Sequence, residues 1–295
     1  HAFAELLTNP DPTAFYDRYP YAVAPPTDDH PFFFHFFKWQ QIPEIVQTLG
    51  TTWQPFGGSG YLVLVILLLI VIGLSAALIL VPLFWLNDQG RAAAVAGDQR
   101  TSSPRLRYLL YFTLLGVGFL FVEIPLLQQF ILFLGQPTYA FTVVVAALLV
   151  AAGVGSHTLS PRLSLRVVLP LITLFVIAYP FLLPPLFDAT LRLPFAGRVV
   201  VTGLALFPVG ALLGVPFPRE VALIGETAPG LVPWVWAVNG CASVVSAVLA
   251  AMVSLTWGFS VVLWSGALMY GLAGLTIWTI RHSRVKGTNL TPPQL

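Results

Sequence analysis

The sequence predicts an all-α polytopic membrane protein, with about seven transmembrane helices preceded by a short polar, aromatic-rich N-terminal segment. Three observations carry this. Hydrophobic residues make up 57% of the 295 and charged residues only 9%, against about 25% charged in soluble domains. Mean hydropathy is +0.84. The apolar residues gather into seven long segments, each near the roughly 20 residues that cross a hydrocarbon core of about 30 Å. A formal net charge of +2, with the basic residues spread between apolar segments, gives no basis for nucleic-acid binding. The single Cys241 excludes an intrachain disulfide.

In chain order, residues 1–60 read as the tail of a soluble domain and an interfacial linker, 61–281 as the seven-helix bundle, and 282–295 as a polar C-terminal tail. The opening HAFAELL has neither an initiator Met nor the basic and apolar regions of a signal peptide, so the chain is expected to be a piece of a longer protein. Residues 1–7 read as the end of a helix, and Asn9-Pro10-Asp11-Pro12 as a turn, because a residue before proline is pushed out of helical angles. The run TDDHPFFFHFFKW over 27–39 suits the membrane interface, with aromatic rings at headgroup depth and Lys38 snorkelling. A short interfacial helix is expected over 43–49. Asp28, Asp29, His30 and His35 match no zinc spacing, and a turn with capped ends explains them better than a metal.

The spans are expected over 61–83, 108–134, 139–158, 167–187, 199–215, 233–256 and 259–280. The first, nearly all Leu, Ile and Val, reads as a lipid-facing anchor. The fourth and fifth carry Pro170, Pro180, Pro184, Pro185, Pro208 and Pro216. Proline frees backbone groups that lipid cannot satisfy, so their broken turns are expected to face the bundle interior. Arg91, Arg100, Arg105, Arg107, Arg162, Arg166, Arg219, Arg281, Arg284 and Lys286 share one face of this arrangement, and Arg18, Lys38, Arg192 and Arg198 the other. The excess of basic residues on the first face places the C-terminus in the cytoplasm and residues 1–60 outside.

An ionisable residue within a span is a functional-site candidate, and Glu123, inside the long apolar stretch 106–135, is the foremost. Pro125 removes the amide that would bond to the Phe121 carbonyl, and Gln128 and Gln129 are read as continuing a polar strip. His157 ends the third span, either as an interfacial histidine or as a proton partner for Glu123. Asn239 must find a hydrogen bond, most simply on another helix. Gly203, Gly210 and Gly214, and Ser243, Ala247 and Ala251, recur at spacings that let helices approach closely. Gly116, Gly118, Gly153 and Gly155 are read as packing or flexing positions. Arg219 and Glu220 are expected to open a short interfacial helix after Pro216. No GxGxxG, P-loop, GxSxG, HExxH or paired CxxC is present, so neither a catalytic motif nor a metal or cofactor site is expected in this chain.

Four stretches, TDDHPFFFHFFKW, YFTLLGVGFLFVEIPLLQQFILFLGQPTYA at 111–140, GVPFPRE at 214–220 and PWVWAVNGCASVVSA at 233–247, together resemble the C-terminal membrane region of bacterial spermidine-synthase-like proteins. These fuse a class I S-adenosylmethionine-dependent transferase-type domain to membrane helices. The resemblance runs from about Pro20 onward, with His30 standing where an Arg is commoner. It implies a bacterial cytoplasmic (inner) membrane, and a module that anchors, and feeds substrate to, a catalytic domain upstream of His1. S-adenosylmethionine or its decarboxylated form would belong to that domain, and a lipid-soluble or polyamine substrate would be admitted between the helices of the module. A cytoplasmic cofactor conflicts with the charge count, which puts residues 1–60 outside; a span that does not cross would remove the conflict. Two other readings stay open: a structural subunit bound to other membrane subunits, and a transporter-like bundle lined by Glu123.

Overall fold

The computed structural model describes residues 12–33, 35–41, 59–85 and 102–288. The helix expected over 1–7, the turn over 9–11, the interfacial helix over 43–49, Arg91, Arg100 and residues 289–295 lie outside them. The described chain runs α1 (Pro12–Arg18), α2 (Ser59–Trp85), α3 (Ser102–Leu134), α4 (Pro137–Thr158), α5 (Leu165–Thr190), α6 (Phe195–Leu213), α7 (Pro216–Thr227), α8 (Val232–Trp257) and α9 (Phe259–Thr288). Seven of these are long and apolar enough to cross a bilayer, with α7 continuing the span that α6 begins. An all-α polytopic membrane fold is therefore what the chain forms. The last helix passes the expected boundary at 281 and runs through 288.

Helix α3 is the centre of the bundle. Phe112, Val122, Leu126 and Phe130 on it are fully buried, and α9 and α8 pack along it. Lipid offers no hydrophobic drive for helices to associate, so close packing and interhelical hydrogen bonds must hold them. Gly116 of α3 lets α8 approach until a Cβ there would lie 2.5 Å from the Asn239 carbonyl oxygen. Gly118 does the same for α9, where the Tyr270 ring would meet a Cβ at 2.9 Å. Pro125 sits inside α3 without ending it. Gly135, at φ 84°, does end it, and its amide caps the Ile131 carbonyl at 2.9 Å.

The second tight contact joins α4 to α6. A Cβ on Gly155 would fall on the Ala211 carbonyl, one on Gly214 would fall on the Ala152 carbonyl, and one on Gly210 would reach the Ala151 methyl at 2.8 Å. Gly203 is different. A Cβ there meets nothing within 4 Å, so among these three glycines the close approach is made at Gly210 and Gly214. On α8 the fully buried small residues are Ser246, Ala250 and Ser254, with Ala247 and Ala251 half-buried. This helix lies between α3, α9 and α2, so its small residues are divided among neighbours instead of forming one stripe. Ser243 donates to the Gly116 carbonyl of α3 at 3.3 Å, while the Cys241 thiol lies 3.8 Å from the Ser75 carbonyl of α2.

Helix α2 is apolar all round and buries nothing in its most apolar stretch, as a lipid-facing anchor does. The prolines of α5 and α6 depart from expectation. Helix α5 is unbroken through four of them, and Pro170, Pro184, Pro185 and, on α6, Pro208 are exposed. Their rings are apolar and carry no donor, so the lipid side accepts them readily. Pro216 instead starts α7, where its missing amide would have been unpaired in any case.

Residues 27–30 lie against the turn joining α8 to α9, since the Phe259 amide bonds to the Asp29 carbonyl at 2.9 Å. The C-terminal end of α9 is at the opposite end of the bundle. Helix α5 and the span formed by α6 and α7 are each long and apolar enough to cross a bilayer. Gly214→Ala is expected to weaken the fold by about 1–3 kcal/mol through overpacking, read as a lowered Tm in detergent. Gly203→Ala is expected to leave Tm unchanged; equal effects of the two would contradict this packing.

Candidate functional site

The polar segment before the first span is fastened to the bundle by a few side chains. Thr27 and His30 close a turn on each other through paired backbone bonds of 3.3 and 3.0 Å. The turn presents Asp29 to the start of α9, where one carboxylate oxygen accepts from the Ser260 amide at 2.8 Å and the Ser260 hydroxyl at 2.7 Å. A helix N-terminus has unpaired amides and a partial positive charge, and Asp29 meets both. Gly258 makes room for it. Its φ is 88°, and a Cβ there would lie 2.6 Å from the second Asp29 oxygen. His30 Nε2 lies 2.7 Å from the Leu255 carbonyl. The Phe37 ring stacks on Tyr61 at 4.8 Å, and Phe32 meets Phe259 edge-on at 5.6 Å.

Lys38 does not snorkel to the headgroups. Its ammonium donates to the carbonyls of Tyr16, Asp17 and Tyr19 at 2.7, 3.1 and 2.8 Å. The end of α1 leaves carbonyls without intrahelical donors, and one ammonium with three hydrogens satisfies them together. The turn with capped ends expected over 27–35 is thus present, and it caps α9 from outside that helix.

Where this segment meets the bundle there is a cavity of about 270 Å³. One wall is apolar, from Leu132 and Phe133 of α3 and Pro180, Leu183, Pro184, Phe187 and Leu191 of α5 and its end. The other is polar, from Asp28, Asp29, Gln129, Asp188 and Ser260. Asp28 and Asp188 are exposed to it, and neither has a hydrogen bond or ion pair among the described residues. The Gln129 Oε1 atom is buried and has no hydrogen-bond partner. The unpaired charged groups lining it are both carboxylates, and the Gln129 amide offers an acceptor and a donor. The charge of the lining therefore calls for a cation. Arg198, beside Phe133, donates from Nη1 to the Phe133 carbonyl at the end of α3, 2.7 Å away, and its buried Nε has no partner among the described residues.

The sequence-derived candidates are distributed differently. On α3, Glu123, Gln128 and Gln129 do not form a strip. At 100° per residue they point in three directions, and the structure leaves Gln128 exposed, Glu123 half-buried and Gln129 at the cavity. Glu123 has no hydrogen bond among the described residues. His157 is exposed at the end of α4, and no hydrogen bond joins it to Glu123 among the described residues. Asn239 is bonded across helices as expected, to the Phe112 carbonyl at 2.9 Å. Arg219 and Glu220 do lie in a short helix after Pro216, but they are not surface groups. Arg219 donates to the Ser160 and Leu163 carbonyls and ties α7 to the turn between α4 and α5, while Glu220 is fully buried. Asp188 and Tyr270 were not singled out from the sequence; a carboxylate near the end of a span and a lone mid-span tyrosine were the available signals.

Comparison of the chain with protein-family models, curated proteins and solved structures gives no match to any of them.

Two expectations follow for the docked segment. Asp29→Ala removes the cap of α9 and is expected to lower stability by about 1 kcal/mol, whereas Asp28→Ala, which caps nothing, leaves Tm unchanged. His35 lies between Phe37 and Tyr61 at 6.4 and 5.7 Å. Burial holds its imidazole below the ordinary 6.5, and the charge of His30 pushes the same way. Below 6.5 the undocked segment takes up a proton that the docked one refuses. Docking therefore weakens as pH falls through that window. Tm is expected to decline from about pH 7 to pH 5 less steeply in His35→Gln than in the parent; identical slopes would contradict the assignment.

Proposed function

We propose that the chain is the membrane module of a spermidine-synthase-like transferase protein. In this reading it anchors the polar segment that precedes it and holds an alkylammonium substrate of the polyamine type where that segment meets the bilayer. The observation that carries the reading is the chemistry of the cavity between residues 28–29, α3, α5 and α9: a polar wall with two unpaired carboxylates and the Gln129 amide, facing an apolar wall. A polyamine has the complementary pattern, with ammonium groups separated by short methylene chains. The ammoniums would address Asp28, Asp188 and Gln129, and the methylenes would lie along Phe133, Leu183 and Phe187.

The proposal includes an orientation. The end of the bundle that holds Arg105, Arg107, Arg162, Arg166 and Arg219 is the more basic, so the positive-inside rule gives it the cytoplasm. The acidic cavity then opens on the other side of the membrane, and the polyamine is taken up from there. The rule places the polar segment there too, so what the proposal takes from the family is the membrane anchor and its polyamine site. Glu123 is left outside it, since no polar neighbour among the described residues links it to this cavity.

Calorimetry of the protein in lipid nanodiscs, titrated with spermidine, tests the reading. Saturable binding is expected, at least tenfold weaker in Asp28→Asn/Asp188→Asn, because each hydrogen bond to a charged group contributes about 1.5–3 kcal/mol. It should also weaken with added salt. Absence of binding, or equal binding of fully acetylated spermidine, would rule out the cationic site. Orientation has its own readout. In a Cys241→Ser background, Asp28→Cys should react with an impermeant maleimide added outside intact cells, and labelling only after lysis would reverse the assignment.

A further inference from the structure

A second cavity, of about 210 Å³, lies within the bundle between α3, the end of α6, α7, α8 and α9. Its chemistry is the opposite of the first. No ionisable carboxylate, ammonium or guanidinium lines it. Its inner wall is buried, from Leu115, Leu213 and Tyr270. Its outer rim, at Phe119, Phe217, Pro218 and Asn239, is half-buried or exposed, so it opens sideways toward lipid. The Phe217 and Trp236 rings meet edge-on at 4.7 Å at this rim, in the interfacial position that aromatic residues favour.

The decisive group is Tyr270. It lies mid-span in α9 and is only 2% exposed, yet its hydroxyl has no hydrogen-bond partner among the described residues. The hydroxyl borders open space rather than protein, so a partner for it must come from the cavity, whereas other buried tyrosine hydroxyls are bonded within the bundle. Tyr179 donates to the Ala205 carbonyl at 2.7 Å, and Tyr111 donates to the Pro216 carbonyl at 3.3 Å. Asn239 is the second donor. Its Nδ2 gives one hydrogen to Phe112 and retains another. The Ser243 hydroxyl is already spent on the Gly116 carbonyl. A single water needs only about 10–15 Å³ of such space, so the volume suits a larger headgroup.

We infer that this intramembrane cavity binds a neutral lipophile whose head carries a carbonyl oxygen, entering from the bilayer past Phe217 and Pro218 and accepting a hydrogen bond from Tyr270, with Asn239 beside it. Quinones and acylglycerols share this chemistry. The site stands apart from the polyamine reading, since it shares no lining residue with the acidic cavity, and either can fail without the other. It also gives Glu123 a setting: Leu115, Phe119 and Glu123 follow one another at four-residue intervals on α3, so the carboxylate is one turn beyond the cavity on the same helix face.

The test uses the full chain in nanodiscs with two probes. Binding of a decyl-substituted benzoquinone is read by quenching of tryptophan fluorescence, and retention of a monoacylglycerol is read by native mass spectrometry. Saturable binding of at least one probe is expected, and which one binds identifies the source. Tyr270→Phe, which removes only the hydroxyl, should weaken that binding about three- to tenfold, the range of one hydrogen bond, with Tm lowered by no more than a few degrees. Leu213→Trp, which fills the cavity, should abolish it while leaving spermidine binding as in the parent. Failure of both probes to bind the parent, or parental affinity in Tyr270→Phe, overturns the inference. Should Tyr270→Phe not fold, Leu213→Trp with unchanged probe binding overturns it equally.

Discussion

The structure depends on one constraint: inside a bilayer, a polar group must find its partner within the protein, because lipid supplies none. Most of the polar side chains described here answer to it. Asn239 and Ser243 reach carbonyls of α3 and so fix α8 against the central helix. Arg198 covers the carbonyl end of α3, and Arg219 covers the turn between α4 and α5. Asp29 and Lys38 do the same for helix ends at the boundary, Asp29 at the start of α9 and Lys38 at the end of α1. Glycines set the distances over which these bonds can form, with Gly116 and Gly118 on α3 and Gly155, Gly210 and Gly214 between α4 and α6.

Against that background the groups left over are informative. At one end of the bundle they are the carboxylates of Asp28 and Asp188 and the Gln129 oxygen, around a cavity with an apolar far wall, with the Arg198 Nε donor near the end of α3. Deeper in, beside α7, the leftover group is a donor, the Tyr270 hydroxyl, in a cavity with no charged lining. A bundle optimised only for packing would have phenylalanine at 270 and an apolar residue at 129. The two cavities therefore ask for different ligands, one cationic and approached from the water, the other neutral and approached from the lipid.

Much of the fold was legible in the sequence because the bilayer makes secondary structure a matter of length and polarity. The seven spans, the short helix after Pro216 and the lipid-facing first span could be read from apolar runs alone. Tertiary placement could not. Whether Gly203 packs, whether the α5 prolines face inward, and which neighbour Ser243 or Ala247 meets all depend on how helices are rotated about their axes. Apolar side chains all round give that rotation no amphipathic signature. The site was legible in its polar residues but not in its grouping. Gln129 and Asn239 could be singled out as polar groups within spans, while Glu123, the most conspicuous, lines neither cavity. Asp28 and Asp29 drew attention as metal-ligand candidates. One of them caps a helix, and the other meets Asp188, 160 residues away in sequence, at the first cavity.

The central claim is that the unpaired polar groups lining the two cavities mark ligand sites. The most direct test is a density map of the protein purified from native membrane without added ligand, fine enough to show ordered lipid and water. The account predicts non-protein density within hydrogen-bond distance of the Tyr270 hydroxyl and of the Gln129 Oε1 atom. A map in which both groups are bonded to other side chains, with the two cavities closed by repacking, would contradict it.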